Sequence, residues 1–251
     1  MRIKVVLAPV NGTLVLPLHY QSILQGFIYH SLNRDKDFQA FLHDEGYEYE
    51  KRQFKLFTFS RLFGRKNIHL HNRTIEFHGP VTWYIGSVLP EFIQYLGQRF
   101  LFDDEVMFGS QKMETIDLYY EKESSIEESC IRIKMISPIT VYSTYQKEDG
   151  KRITHYFRPE DLLFAHLVSQ NSVKKYEAFN DGKAEKKVNI RPIRVKESDK
   201  VVTRFKQTLI TAWSGEYELS ASPDMLRFLY SVGLGAKNSQ GFGMFQVLHS
   251  Y

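Results

Sequence analysis

Hydrophobic and polar positions along the 251-residue chain fall into a pattern that runs through once and then starts again. Residues 3–7 (IKVVL) are a short, nearly continuous apolar run, as in a buried strand. Residues 19–33 switch to a helical period. At about 100° per residue, Tyr20, Ile23, Leu24, Phe27, Ile28 and Ser31 share one face. A shorter helical stretch at 35–44 turns Phe38, Phe41 and Leu42 inward. Strands are predicted at 55–60, 68–71 and 74–77, then a helix at 89–101 with Phe92, Ile93, Leu96 and Phe100 on its inner face. A strand at 115–120 closes the set. This β-α-β-β-α-β order is the split βαβ arrangement.

The acidic, serine-containing stretch 121–129 reads as a linker, after which the series restarts. A strand is predicted at 130–142, interrupted at Pro138, and a helix at 160–179 with Leu163, Phe164 and Leu167 inward. Further strands are predicted at 188–195 and 201–213, the latter as a long hairpin arm. Ser222 is placed to cap a helix at 225–232, with Pro223 at the first helical position and Asp224 favoured by the helix dipole. A glycine-rich segment then leads to a last strand at 244–249. The expectation is an α+β protein of two tandem ferredoxin-like (RRM-like, βαββαβ) domains, at 1–122 and 129–251.

Composition narrows the function classes. With 43% hydrophobic and 25% charged residues, disorder is excluded as the main state. Cys130 is the one cysteine, which rules out an internal disulfide and an all-cysteine zinc site and suits a reducing compartment. No apolar run approaches the roughly 18 residues of a membrane span. The apolar start at 1–9 is too short for a leader, so a cytoplasmic protein is expected. The net charge of +4 is mild but uneven. Residues 51–73 hold seven basic side chains, opening with Lys51 and Arg52, and no acid; 183–206 hold nine basic and three acidic ones; 103–128 hold nine acids. Such runs can be solvated faces, or a polarised surface that tracks a phosphate backbone.

The segment Gly233-Leu-Gly-Ala-Lys-Asn-Ser-Gln-Gly-Phe-Gly243 has four glycines in eleven residues. Glycines let the backbone reach φ > 0 and approach a ligand closely, and successive N–H groups can hold phosphate oxygens. Lys237 adds a charge and Asn238 an amide. Neither the Walker A pattern nor G-x-G-x-x-G is matched. Elsewhere, Tyr29 falls opposite the apolar face of the first helix, beside Ser22, Gln25 and Gly26. His43 points away from the inward side chains of its short helix, and an imidazole with a pKa near about 6.5 exchanges protons at neutral pH. Lys55 begins a strand inside the basic block. His69 and His71 alternate on one strand, with no third ligand evident, and the carboxylates are scattered. No metal site and no cofactor is expected.

These residues resemble the CRISPR-associated repeat-processing endoribonucleases of the RAMP superfamily. Residues 233–245 match that family's loop, G-x-G-x-K-N-S-x-G-[FL]-G followed by an apolar strand. Pro17, the run Leu24-Gln-Gly-Phe-Ile-Tyr29, Phe41-Leu-His43, Lys55-Leu-Phe-Thr-Phe-Ser60 and the pair Ser137-Pro138 extend the likeness along the chain. The resemblance implies two ferredoxin-like domains and metal-independent cleavage of CRISPR precursor RNA within its repeats. In that reaction the RNA 2′-hydroxyl attacks the adjacent phosphate and leaves a 2′,3′-cyclic phosphate and a 5′-hydroxyl. By position, Tyr29, His43 and Lys55 would be catalytic. Gly233, Gly235, Lys237, Asn238, Ser239, Gly241 and Gly243, with Lys51 and Arg52, would bind RNA. CRISPR repeat RNA is the implied partner, with other CRISPR effector proteins beside it, and both monomer and homodimer stay open. A second reading is a non-catalytic RAMP-type RNA-binding subunit of an effector complex. Such relatives share the loop but need no histidine at the helix end, so His43 with Tyr29 favours the enzyme.

Overall fold

The computed structural model describes residues 1–33, 35–50, 52–103, 105–121, 126–147, 149–180 and 187–248; for His43 it describes the backbone alone. The first half runs β1 (Arg2–Pro9), β2 (Thr13–Pro17), α1 (Gln21–Ser31) and α2 (Lys36–Ala40), which continues into a π-helical turn (Phe41–Glu45). A small hairpin follows, β3 (Tyr47–Tyr49) and β4 (Arg52–Phe54), then β5 (Phe57–Phe59), β6 (Phe63–His69), β7 (Thr74–Ser87), α3 (Pro90–Phe102), β8 (Val106–Phe108) and β9 (Gln111–Glu121). The sheet order is β2-β7-β1-β9-β8, with β5 and β6 also paired to β7. Its inner strands β9-β1-β7-β5 are antiparallel and carry the ferredoxin-like order, the closing strand lying beside the first.

Two periodicities meet in the first core. Alternation in β1 buries Ile3, Val5 and Leu7, and the helical period buries Leu24, Phe27 and Ile28 of α1 and Phe92, Ile93, Leu96 and Phe100 of α3. Phe27 packs on Trp83, Phe100 and Phe108 with ring centroids 6.0, 5.3 and 5.5 Å away. Each such buried side chain contributes roughly 1.5–3 kcal/mol.

The second half repeats the plan: β10 (Cys130–Met135), the hairpin β11 (Tyr142–Gln146) and β12 (Arg152–Tyr156), α4 (Leu162–Asn180), β13 (Asn189–Arg194), the hairpin β14 (Lys200–Phe205) and β15 (Thr208–Trp213), β16 (Glu216–Ser220), α5 (Pro223–Val232) and β17 (Phe245–Leu248). The sheet order β13-β16-β10-β17 is again ferredoxin-like. Ser222 caps α5 as expected, accepting a hydrogen bond from the Met225 amide at 3.4 Å. Phe164 and Val168 of α4 and Met225, Leu226, Leu229 and Val232 of α5 fill a second core. Among the described residues no helix is long and apolar enough to cross a membrane.

Several elements differ from the sequence reading. The strand at 74–77 is the start of the fourteen-residue β7. The expected strand stops short of Gly79 and Pro80, which sit where β7 changes partners: residues 74–78 pair with β2 and 81–86 with β1. Proline, lacking an N–H, is tolerated at such a junction. The arm at 201–213 is the expected hairpin, in its own two-stranded sheet, but the third strand of the main sheet is β16, which the sequence reading lacked. Glu216 and Glu218 hide β16 from a hydrophobicity reading, although Tyr217 and Leu219 are fully buried. Leu163 is exposed, because α4 begins at Leu162 and faces inward from Phe164. In the first half Lys55 precedes β5, and Leu56 turns the chain with φ of 50°. Residues 122–125 of the expected linker and His249 of the last strand lie outside the described residues.

The two halves are joined through a buried cation. The Arg2 guanidinium donates to the carbonyls of Tyr230 and Phe245, the latter at 2.7 Å, and lies 3.3 Å above the Tyr230 ring. Burial lowers its pKa to about 10. The side chain points off the back of β1, a face that reads as solvent until the second half covers it.

Candidate functional site

The glycine loop closes this joint. Its backbone reaches φ of 84° at Gly233, 67° at Gly235, 60° at Lys237, 82° at Gly241 and 79° at Gly243. A Cβ on Gly235 would stand 2.6 Å from the Thr140 carbonyl, one on Gly241 would enter the Phe59 ring, and one on Gly243 would overlap the Leu234 carbonyl. The first half holds the loop directly: Thr58 donates to the Phe242 carbonyl at 3.0 Å and Gln25 to the Ser239 carbonyl at 2.7 Å. From within, the Asn238 amide donates to the carbonyls of Leu234 and Phe242 at 2.8 and 3.0 Å. The N–H groups of Gly233, Gly241 and Gly243 serve the carbonyls of Leu229, Asn238 and Pro138. The amides of Gly233, Gly241 and Gly243, with Asn238, therefore hold the loop's shape. The loop also presents the Lys237 ammonium, 4.9 Å from the Tyr142 ring centroid, and the partly exposed Ser239.

Against this loop stand the side chains of the first half. Tyr29, Lys55, Gln25, Lys206, Lys237 and Ser239 line one cavity. Tyr29 is half-buried, edge-on to Phe57 at 5.8 Å. Burial, and then the charge of Asp44, push its hydroxyl up to about 12, so it keeps its proton at neutral pH. Lys55 folds over Gly46: a Cβ there would lie 3.3 Å from the Lys55 ammonium nitrogen. Burial lowers the Lys55 pKa, opposed by Asp44 and Glu45. Those two acids follow His43 in the π-helical turn, which ends where the Gly46 amide reaches the Phe41 carbonyl at 2.6 Å. The backbone at His43 thus belongs to the turn whose acids act on both Tyr29 and Lys55. π-helical turns recur at functional sites because they re-aim one residue within a helix.

Of the basic-block residues, Arg52 donates to Asn171 of α4 at 2.6 Å, and Lys51 lies outside the described residues. His69 faces solvent and bonds to Glu76 at 3.1 Å. Among the described residues no group of three His, Cys, Asp or Glu side chains is placed to hold a metal ion.

One side chain went unnoticed in the sequence. Lys175, buried in α4, donates to the Gly233 carbonyl and, at 2.9 Å, to Asn238 Oδ1. The signal was its spacing: Phe164, Val168, Ser172 and Lys175 share the buried face of α4, so a lysine occupies a core position.

Comparisons with known proteins agree with this architecture. The family model described as CRISPR associated protein Cas6, C-terminal, matches residues 120–247, and that described as CRISPR-associated protein Cas6, N-terminal, matches residues 15–116. A relative from Methanocaldococcus jannaschii, CRISPR-associated endoribonuclease Cas6 1, is 30% identical, over 97% of this chain and 91% of its own. CRISPR-associated endoribonuclease Cas6 of Pyrococcus furiosus is 25% identical, over 92% of this chain and 83% of its own. A solved structure of a CRISPR associated protein Cas6 superposes with a TM-score of 0.78 at 26% identity, covering 99% of each chain. A Cas6-related protein from Pyrococcus furiosus shares the fold at a TM-score of 0.85 and 22% identity, over 100% of this chain and 99% of its own.

Proposed function

Because this chain belongs to the CRISPR-associated Cas6 family, we propose that it is an endoribonuclease that cleaves CRISPR precursor RNA within its repeats, without a metal ion. The observation that carries the reading is the shared cavity of Tyr29, Lys55, Lys237 and Ser239, beside the turn that holds His43. The loop and the basic side chains grip phosphates. The RNA 2′-hydroxyl attacks the adjacent phosphorus, forming a P–O2′ bond, and the P–O5′ bond breaks. One proton leaves the 2′-oxygen and one is delivered to the 5′-oxygen, so the products are a 2′,3′-cyclic phosphate and a 5′-hydroxyl.

Chemistry assigns the roles. An imidazole at His43 can take or give a proton near neutral pH. The Lys55 ammonium offsets the charge that builds on the phosphorane oxygens. Tyr29 keeps its proton and so acts as a hydrogen-bond donor to the ribose or phosphate, not as a base. The test is incubation with a repeat RNA in EDTA, with end-group analysis. Cyclic phosphate and 5′-hydroxyl ends are expected. A need for divalent ions, or 5′-phosphate ends, refutes the metal-free scheme.

Lys237 supplies the loop's charge, and phosphate contacts dominate the affinity of RNA-binding proteins. Lys237→Ala is expected to weaken repeat-RNA binding and to lower the slope of log affinity against log salt by about one unit. Filter binding across a salt series measures both.

A further inference from the structure

Between the glycine loop, α4 and the β3–β4 hairpin lies a cavity of about 430 Å³. Its lining includes Arg52, Lys55, Lys175 and Lys237 and, among the described residues, no acidic side chain. Lys175 is only 2% exposed. Its ammonium meets the Gly233 carbonyl, the Gly235 carbonyl at 3.5 Å and Asn238 Oδ1 at 2.9 Å, all neutral acceptors. A buried cation held by dipoles alone carries a desolvation cost that an anion would offset. Arg52 is aimed at the same space by Asn171, and Lys237 stands at its rim over Tyr142. The geometry points to this cavity as the seat of one phosphate group, answered from beneath the glycine loop by the buried Lys175 ammonium. Assigning that phosphate to an RNA strand rests on the function proposed above; free phosphate is the other source of the same chemistry.

The seat has a pH signature. Burial brings the Lys175 pKa down from its ordinary 10.5 to about 7. The charged or titratable groups facing it across the cavity are Arg52, Lys55, Lys237 and Tyr142. Burial also lowers Lys237, and it lowers Lys55 against the pull of Asp44 and Glu45. A phosphate favours the charged form of Lys175, so binding takes up a proton once the pH exceeds about 7. Affinity then falls as pH rises, by up to about tenfold per unit for one proton. Stability of the free protein runs the other way. The folded pKa lies below the unfolded one, so between about 7 and 10.5 the unfolded chain binds more protons and folding gains with rising pH. A loss of affinity in that window is therefore not unfolding caused by Lys175.

The experiment measures repeat-RNA affinity from about pH 6.5 to 8.5 at constant ionic strength, with calorimetry in two buffers to count protons taken up. Wild type, Lys175→Met, Lys175→Arg and Lys237→Met are compared, with thermal unfolding as the check on folding. Wild type is expected to lose affinity with pH and to take up protons, and Lys237→Met to keep both trends. Lys175→Met should bind more weakly at the acid end and show a flat profile; Lys175→Arg should bind with a flat profile. If neither Lys175 variant folds, proton uptake by Lys237→Met decides, and its absence overturns the proposal. Equal pH slopes in wild type and Lys175→Met also overturn it. A parallel arm adds inorganic phosphate without RNA. A rise in unfolding temperature that Lys175→Met lacks assigns the seat to free phosphate as well, and no rise beside a positive RNA result assigns it to the strand. Failure of wild type to bind RNA at all removes the proposed function, while the phosphate arm still tests the cavity.

Discussion

A repeat RNA with a 2′-deoxy nucleotide immediately upstream of the scissile phosphate is expected to bind and to remain uncut. The nucleophile in the proposed reaction is that nucleotide's own hydroxyl, and no other group in the scheme attacks phosphorus. Binding should survive, because the proposed contacts of Lys237, Arg52 and the other basic lining side chains are to phosphate charge, which the substitution leaves intact. Single-turnover cleavage of the substituted and all-ribose RNAs, with filter binding alongside, is the measurement. Cutting of the deoxy substrate at the normal rate would show that water or a side chain is the nucleophile, and the cyclic-phosphate route would fall.

His43→Ala is expected to slow single-turnover cleavage by about 10²–10⁴-fold, the usual contribution of a general acid or base. RNA affinity should hardly change, since the proton transfer belongs to the transition state. The turn around it explains why this position is demanding. Asp44 and Glu45, the next two residues, act on Lys55, and Asp44 also acts on Tyr29. Lys55→Ala should also slow cleavage, with some loss of affinity, because a cation near phosphate helps the ground state too. If His43→Ala cuts at the wild-type rate, the proton transfers lie elsewhere and the non-catalytic RAMP reading gains.

Elements whose burial comes from one half alone were legible in the sequence. Leu24, Phe27 and Ile28 announce α1, and Phe92, Ile93, Leu96 and Phe100 announce α3, because each packs on its own sheet with a full apolar stripe. Ser222 with Pro223 marked the start of α5 through local capping chemistry. What stayed hidden depends on distant partners. Arg2 donates to the carbonyls of Tyr230 and Phe245, more than two hundred residues away, and nothing in the alternation of β1 announces that. Gly79 and Pro80 behave as turn formers in isolation, yet β7 runs through them because different strands flank it on each side. β16 is short, and three of its five residues are glutamates or serine on the less buried face.

The candidate site divides in the same way. Tyr29, Lys55 and the loop were singled out from residue type and family likeness, and the structure places Tyr29, Lys55, Lys237 and Ser239 around one cavity. Glycine spacing reports backbone freedom but not which acceptors the N–H groups find, so the internal bonds of Gly233, Gly241 and Gly243 were not legible. Lys175 stayed hidden because a lysine on a helix is read as solvated unless its neighbours at helical spacing are counted.

The way Gly241 and Gly243 pack has a diagnostic consequence. A side chain at either position would collide with Phe59 of the first half or with the loop's own Leu234 carbonyl. The glycine spacing is therefore a fingerprint of how two ferredoxin-like halves are hinged together, and it is enforced by volume, independent of any bond being cut. A descendant that lost every proton-transfer group would still have to spell the loop the same way to keep its halves joined. Telling a nuclease from an inert relative by inspection should therefore weigh the short turn at Phe41–Glu45 and the side chain opposite it, and give the loop no vote.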